Sequence, residues 1–464
     1  MSETKYLQNG ITEGVIWKQL LIFFFPILLG TFFQQLYNTV DAVVVGRYVG
    51  KEALAAVGGA TSVVINLFVN LFTGIASGAT VVVSQYYGAR DLENLQKAVH
   101  TAVAISVVGG GAIMVVGLLG SRWSLVLMGT PADILDYSTT YMQVYFLGSI
   151  ASFLYNMGSA ILRAVGDTRR PLYFLIAACL TNIVLDLLFV VVFHWGVFGV
   201  AIATVTSQVV SAVLVVFALR QKDAVYHLDF KQIRFHARQL KGIIMVGLPA
   251  GLQADMYNVA NLLIQSSVNS FGTNAVAAWS AYGKLDGFYW MVTSAYCISL
   301  TTFVGQNFGA QKYDRIRKSA RVCTLMHMGT SVVFSLIFCL LGRPLLSLFT
   351  TDSEVLDLGM KMIYVIMPAY VVTTFGEILP GAIRGVGEAL PSMLLVCCGA
   401  CGFRITWILL VVPLYHQLET VLVSFPISWT LISLLFIVYY LRGNWLRRQI
   451  KKLGVLSPNA QPNG

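Results

Sequence analysis

The chain has 464 residues, of which 57% are hydrophobic and only 11% charged, with a net charge of +10 and a mean hydropathy of +0.73. A soluble globular protein is about 25% charged, and 31 basic plus 21 acidic residues cannot cover the surfaces of soluble domains made from a chain this long. The composition therefore excludes a soluble enzyme. Its repeated apolar runs of about 20 residues exclude an outer-membrane barrel, whose strands are short and alternating. What remains is an all-α integral membrane protein.

Twelve spans are expected, at 16–45, 54–83, 98–119, 137–161, 172–193, 197–219, 243–268, 275–303, 322–341, 362–383, 393–414 and 421–441. The polar stretch 1–14 leads into a first run long enough to cross a bilayer, which reads as an anchor rather than a cleavable signal peptide. The first span carries Pro26, which removes a backbone hydrogen bond and predicts a bend. Beyond it, Gln34, Tyr37, Asn38 and Asp41 fall at i, i+3, i+4 and i+7 and so share one helix face. Met157, in the fourth span, is a candidate lining residue of an adaptable cavity, as are Met256 and Met291. In the fifth span Asn182 and Asp186 stand at i, i+4, and in the sixth Thr204 and Gln208 repeat that spacing. An aspartate in hydrocarbon costs about 2.5–3.5 kcal/mol on insertion scales. Two of them, each with an amide on its own face, point to function rather than to packing. Their oxygens form a hard set suited to sodium or to a shared proton.

The apolar pattern then stops, and residues 221–241 form a basic stretch expected to lie on the cytoplasmic surface. Its amphipathic part runs from Phe230 to Phe235. The seventh span repeats the proline at Pro249 and carries a polar but uncharged stripe, Tyr257, Asn258, Asn261 and Gln265, with Gln253 and the acid Asp255 as further candidate cavity residues. The eighth holds Lys284 and Asp286, for which mutual pairing of the lysine with a nearby carboxylate is the simplest expectation. The tenth holds Glu377 on a face with Tyr370, Thr373 and Thr374, followed by Pro380. It is the second-half acid best placed to meet a cationic compound. His194, His327 and His416 lack partners at metal spacing, and the Cys397, Cys398 and Cys401 group reads as small residues of a buried helix. The tail 443–464 is basic, then rich in Pro and Asn, and is expected to be cytoplasmic and disordered.

Of the 31 basic residues, 24 flank the even-numbered loops and the two termini. By the positive-inside rule both termini lie in the cytoplasm of a multi-pass protein of the inner (cytoplasmic) membrane. The basic tracts act as topology signals at an anionic leaflet, and no nucleic-acid partner is implied. The halves also repeat at an offset of about 221 residues. Gly50-Lys-Glu-Ala-Leu-Ala-Ala56 matches Gly272-Thr-Asn-Ala-Val-Ala-Ala278. Ser84-Gln-Tyr-Tyr-Gly-Ala-Arg90 matches Gly305-Gln-Asn-Phe-Gly-Ala-Gln311, and Arg163-Ala-Val-Gly-Asp167 matches Arg384-Gly-Val-Gly-Glu388. Six spans per repeat make the repeat parallel, about an axis along the membrane normal, with substrate expected between the halves. No G-x-x-x-x-G-K-[ST] loop is present, so an ion gradient rather than ATP is the expected energy source. Neither an H-E-x-x-H nor a G-x-S-x-G motif occurs, and no enzyme activity is expected.

These residues resemble the multidrug and toxic compound extrusion transporters. The resemblance rests on Pro26 with the run Gln34 to Asp41, on Gly50-x-x-Ala-Leu-Ala-Ala56, and on the paired Gln-x-x-Gly-Ala and Arg-x-x-Gly-[Asp/Glu] loops. It implies twelve transmembrane helices in two pseudo-symmetric six-helix lobes, arranged as a V that opens alternately to either side. The lobes are 1–220 and 242–442, joined by the linker 221–241. It implies an antiporter with no bound cofactor, exporting small amphipathic, often cationic organic compounds in exchange for Na+ or H+, and the internal two-fold makes a functional monomer sufficient. The coupling-ion ligands of one branch match Asp41, Asn182, Asp186 and Thr204. A glutamate that another branch carries in the seventh helix is replaced here by Tyr257. The competing reading is a flippase for a lipid-linked glycan, or an exporter of one specific metabolite. A basic cavity of the kind a flippase would want is not suggested by Lys284 alone.

Overall fold

The computed structural model describes residues 10–456, and among the described residues there are helices and turns but no strand. The long helices are α1 (Ile16–Val49), α2 (Lys51–Gly88, interrupted at Gly59), α3 (Leu92–Leu127), α4 (Ala132–Leu147 and Ser149–Ala164), α5 (Arg169–Val192) and α6 (Gly196–Leu219). After the loop follow α7 (Ala237–Asn269), α8 (Thr273–Gly309), α9 (Tyr313–Ser347), α10 (Ser353–Gly385), α11 (Ala389–Leu410) and α12 (Leu418–Arg442). Each expected span falls on one of them. Counting the bent α4 as one, ten are apolar enough to cross a membrane. The other two, α7 and α8, are 33 and 37 residues long and are diluted by the polar stripe of the seventh span and by Lys284 and Asp286. Large apolar side chains such as Leu119, Leu340 and Leu441 are at least 75% exposed. In water such exposure is a liability, whereas against lipid it costs nothing.

The chain closes into two units. Among the described residues, the first takes 10–13 and Ile22–Gly251, the second Gly14–Leu21 and 252–456. Thus α7 starts in the first unit and ends in the second. The reason is a close approach that only glycine permits. A Cβ on Gly74 would stand 2.2 Å from the Gly251 nitrogen, and one on Gly247 2.5 Å from the Ile75 Cα. Gly74-x-x-x-Gly78 on α2 and Gly247-x-x-x-Gly251 on α7 are small-xxx-small stripes, the usual seam between membrane helices. The core of the first unit is further held by stacked Phe72 and Phe153, with ring centroids 3.6 Å apart. The loop after α6 docks on it, burying Ala224, Tyr226 and Leu228.

In the second unit Tyr289 stacks on Tyr370 at 3.7 Å. The Tyr289 hydroxyl bonds to the Tyr370 carbonyl at 3.0 Å and to Thr373 at 2.9 Å. His327 is fully buried and bridges Thr293 and Thr374, both at 3.0 Å, in keeping with a core histidine.

The sequence repeat is also a backbone repeat. Gly166 and Gly387 of the Arg-x-x-Gly-[Asp/Glu] loops take φ of +108° and +96°, while Gly50 and Gly272 take +120° and +91°. These values are open to glycine and strained for other residues. Arg90 and Gln311, ending the two Gln-x-x-Gly-Ala loops, both adopt the left-handed conformation at φ +57° and +58°. The fourth and tenth helices are both broken, α4 by 50° at Gly148 and α10 by a 3-10 turn, Met367–Ala369, around Pro368.

The tail departs from the expected disorder. Trp445–Leu456 is a helix, α13, because Trp445 and Leu446 find buried positions that anchor its first turn. The remaining part of that tail, 457–464, lies outside the described residues.

Candidate functional site

Four helices of the first unit converge on Asp41. It is 7% exposed, and Asn182, Asp186 and Thr204 are at most 2% exposed. The Thr204 hydroxyl donates to Asp41 Oδ2 at 3.4 Å and to the Val200 carbonyl at 3.0 Å. Asp186 and Asn182, on α5, face the Asp41 carboxyl, so the sequence-predicted quartet forms one cluster. Both acids precede a local change of winding: α1 turns π-helical at Val45–Val49 and α5 at Leu187–Val192. Such bulges are frequent at functional sites.

The cluster is left electrostatically incomplete by the protein. Asp41 Oδ1, both Asp186 carboxylate oxygens and both the oxygen and the nitrogen of the Asn182 amide are buried without a hydrogen-bond partner, as are the Tyr37 hydroxyl and the Gln208 amide oxygen. Buried polar atoms are normally paired, and an uncompensated buried carboxylate costs several kcal/mol. Two carboxylates side by side in hydrocarbon need a positive charge between them. Oxygens of carboxylate, amide and hydroxyl type are the donor set of a hard cation, and they also hold a shared proton.

Tyr141 and Tyr145, on α4, complete the surroundings and face Asp41. They were not picked out from the sequence, since two tyrosines in an apolar run read as core. Their i, i+4 spacing, the same as that of Asn182 with Asp186, was the available signal. Of the proposed cavity residues, Gln34 and Asn38 are exposed and Tyr37 half-buried on α1. Met157 is fully buried in the apolar core of the first unit, where it serves as packing.

In the second unit the polar residues are arranged differently. Gln253, Asp255, Met256, Tyr257 and Asn258 are half-buried along α7. The Tyr257 hydroxyl donates to Glu377 at 3.4 Å, joining two predicted residues. Asp286 accepts from the Tyr282 hydroxyl at 3.2 Å and from the Tyr370 hydroxyl. Lys284 is exposed and makes no ion pair among the described residues, because its side chain leaves the opposite side of α8 from the buried Tyr282 and Tyr289. The cations near these acids are instead Arg384 of α10, beside Glu377, and Arg404 of α11, 3% exposed and near both acids. The Arg404 Nε donates to Ser428 at 2.8 Å, and its guanidinium lies 4.4 Å from the Phe425 ring and 5.4 Å from that of Trp429. The three cysteines of α11 sit on a π-helical turn, Cys397–Gly402, with Cys398 exposed and Cys401 buried.

The acids of the repeated loops have a structural task. Asp167 pairs with Arg170 at 3.1 Å, which in turn reaches Gln221 and Tyr226 beyond α6. Glu388 accepts from Tyr439 at 2.9 Å and pairs with Arg448 at 3.5 Å, holding the segment beyond α12.

Comparison with known proteins agrees with this architecture. The MatE family pattern matches residues 26–188 and 249–409, once in each half. The chain is 27% identical over 448 residues to a probable multidrug resistance protein, YoeA, of Bacillus subtilis, covering 94% of this chain and 96% of that one. It is 22% identical over 433 residues to the multidrug export protein MepA of Staphylococcus aureus, covering 93% and 95%. A crystal structure of a MATE transporter in the straight conformation superposes with a TM-score of 0.87 at 23% identity, over 96% of this chain and all of that one. The chain belongs to the MatE family, the multidrug and toxic compound extrusion membrane transporters.

Proposed function

We propose that the protein is a secondary active exporter of small amphipathic, often cationic organic compounds, driven by inward movement of Na+ or H+. The coupling ion is bound by Asp41, Asn182, Asp186 and Thr204. The observation that carries this reading is the pair of buried carboxylates, Asp41 and Asp186, of whose four oxygens only Asp41 Oδ2 receives a hydrogen bond from the protein. A charge-deficient site of this kind is stable only when a cation or proton enters. An entering ion can therefore bias the conformation of the helices that supply the ligands. The multidrug names of its relatives support an organic substrate, and the polar faces around Tyr37 and Glu377 are the candidate contacts for it. In this reading the two repeats act as the two lobes of one monomer in the cytoplasmic membrane, with both termini inside.

The test is transport of a fluorescent lipophilic cation in proteoliposomes with an imposed Na+ or proton gradient. Gradient-dependent dye movement that stops when an ionophore collapses the gradient is expected, and Asp41→Asn should lose it. Dye movement indifferent to both gradients would refute the antiport reading.

A further inference from the structure

We propose that Asp286 of α8, with the aromatic side chains around it, binds the positive charge of an organic cation, an inference that rests on the class of compound assigned above. The Asp286 carboxyl accepts from the Tyr282 hydroxyl at 3.2 Å and from the Tyr370 hydroxyl of α10, and the two hydroxyls lie 3.3 Å apart. Both donors meet Oδ1, so the carboxyl is held in one orientation. Oδ2 receives no hydrogen bond among the described residues and, unlike the oxygens of Asp186, is not sealed from solvent. Asp286 also makes no ion pair among the described residues. Arg404 is held instead by Ser428 and over the Phe425 and Trp429 rings, and Lys284, two residues earlier, leaves the far side of α8. An acid fixed from one side and open on the other is a place for a charge from outside the chain.

The helix face beside this acid is open and faces water. A Cβ on Gly283 or Gly287 would meet nothing within 4 Å, and both glycines neighbour Asp286 on the helix surface. Exposed positions along α8 include Ser280, Gly283, Lys284, Gly287 and Ser294, with Phe288 its one exposed large apolar side chain. On α9, by contrast, Leu325, Val333, Leu336 and Leu340 are exposed, as on a helix that faces lipid. A lysine in hydrocarbon is expensive, so α8 turns this face to an aqueous space. Aromatic rings wall the carboxyl. Trp290 stands one turn beyond Asp286, with its ring 6.1 Å from that of Trp429, which lies 5.9 Å from Tyr370. Trp279, on the other side, lies 5.5 Å from Tyr282. A carboxylate among tryptophan and tyrosine rings suits an organic cation, which gains from both charge and ring faces, whereas a bare metal ion wants further oxygens. The fold does not require these residues: α2, the counterpart of α8 in the first repeat, has no Asp, Glu or Trp between Ala53 and Gly88.

The experiment measures equilibrium binding of ethidium, a flat lipophilic cation, to the full-length protein in detergent, together with thermal unfolding in sodium and potassium chloride across pH. It compares the wild type with Asp286→Asn, with Asp286→Glu, which keeps the charge, and with Gly287→Leu, which fills the open space beside the carboxyl. Asp286→Asn should bind ethidium about tenfold or more weakly, and Gly287→Leu should also weaken it. Asp286→Glu should stay closer to the wild type than to Asp286→Asn. All three should unfold near the wild-type midpoint in potassium chloride and keep its response to sodium or pH, because the Asp41 cluster is untouched. Four results would each overturn the proposal: no saturable ethidium binding by the wild type, unchanged affinity in Asp286→Asn or Gly287→Leu, equal losses in Asp286→Asn and Asp286→Glu, or loss of the sodium or pH response in Asp286→Asn. Flux separates this site from the export reading. A wild type that binds ethidium through Asp286 but moves it under neither gradient refutes antiport and supports the site.

Discussion

Asp41 and Asp186 show how much a single unpaired group decides inside a membrane. With no donor supplied to Asp186, replacing its charge by an amide removes a desolvation cost and the ion's anchor together. Asp186→Asn is therefore expected to be at least as heat-stable as the wild type in potassium chloride, yet to show no gradient-driven export; a scan and a flux assay on the same preparation check both halves. A histidine outside the bilayer, His236, carries a different expectation. His100 accepts from the Asp229 amide at 3.1 Å through Nε2, and His236 accepts from the Arg234 guanidinium at 3.2 Å in the same way. Desolvation, then the charges of Arg234, Lys97 and His100, hold His236 below the ordinary histidine range. Its contribution is thus fully present above about pH 6.5 and is lost as the pH falls through its lowered folded value. The protection factors of loop 221–236, corrected for the intrinsic slowing of exchange in acid, should fall on acidification below pH 6, and His236→Gln should flatten that dependence. Helical spacing singled out Asp41, the Asn182–Asp186 pair and Thr204 on their separate helices, because a polar residue is conspicuous in an apolar run, and the family resemblance joined them into one quartet. The setting of Arg404 was not legible, since its partners Ser428, Phe425 and Trp429 are on the next helix and only packing brings them together.

Between elements, the most sensitive place is the glycine seam of α2 with α7. Gly247→Ala would drive a methyl into the Ile75 backbone, an overpacking of about 1–3 kcal/mol. It should lower the unfolding midpoint by several degrees. Gly283→Ala on α8 and Gly329→Ala on α9 meet nothing within 4 Å and should be neutral or slightly stabilising. Similar midpoints for Gly247→Ala and Gly283→Ala would count against the seam. The repeat was readable at this scale because its glycines serve backbone conformations rather than contacts, so the same letters recur at Gly166 and Gly387. Helix breaks were less readable. Gly148 lies between Leu147 and Ser149 in an otherwise continuous apolar pattern, and nothing local distinguishes it from the unbroken glycines of α3. Helix α13 was hidden for a related reason: its basic composition suggests solvation, while its order comes from Trp445 packing beside Tyr440.

For the whole molecule, the distribution of lysine and arginine predicts sidedness. A tag placed after residue 464 should resist protease added to intact cells and be removed once the membrane is opened; cleavage in intact cells would reverse the assigned orientation. The number of helices, the twofold repeat of sequence and the family were all legible from hydropathy and motifs. The sharing of α7 between the two units was not, because it depends on a seam across distant sequence. The central claim is that the Asp41 cluster is a cation site, and the most direct measurement is thermal unfolding of the detergent-solubilised protein in sodium versus potassium chloride across pH, for wild type and Asp41→Asn. A ligand of the folded state raises stability by RT ln(1 + [L]/Kd). The account predicts a sodium-specific or pH-dependent stabilisation of the wild type, the first meaning sodium coupling and the second proton coupling, that is absent from the variant. Identical behaviour of the two proteins in every salt and at every pH would contradict it.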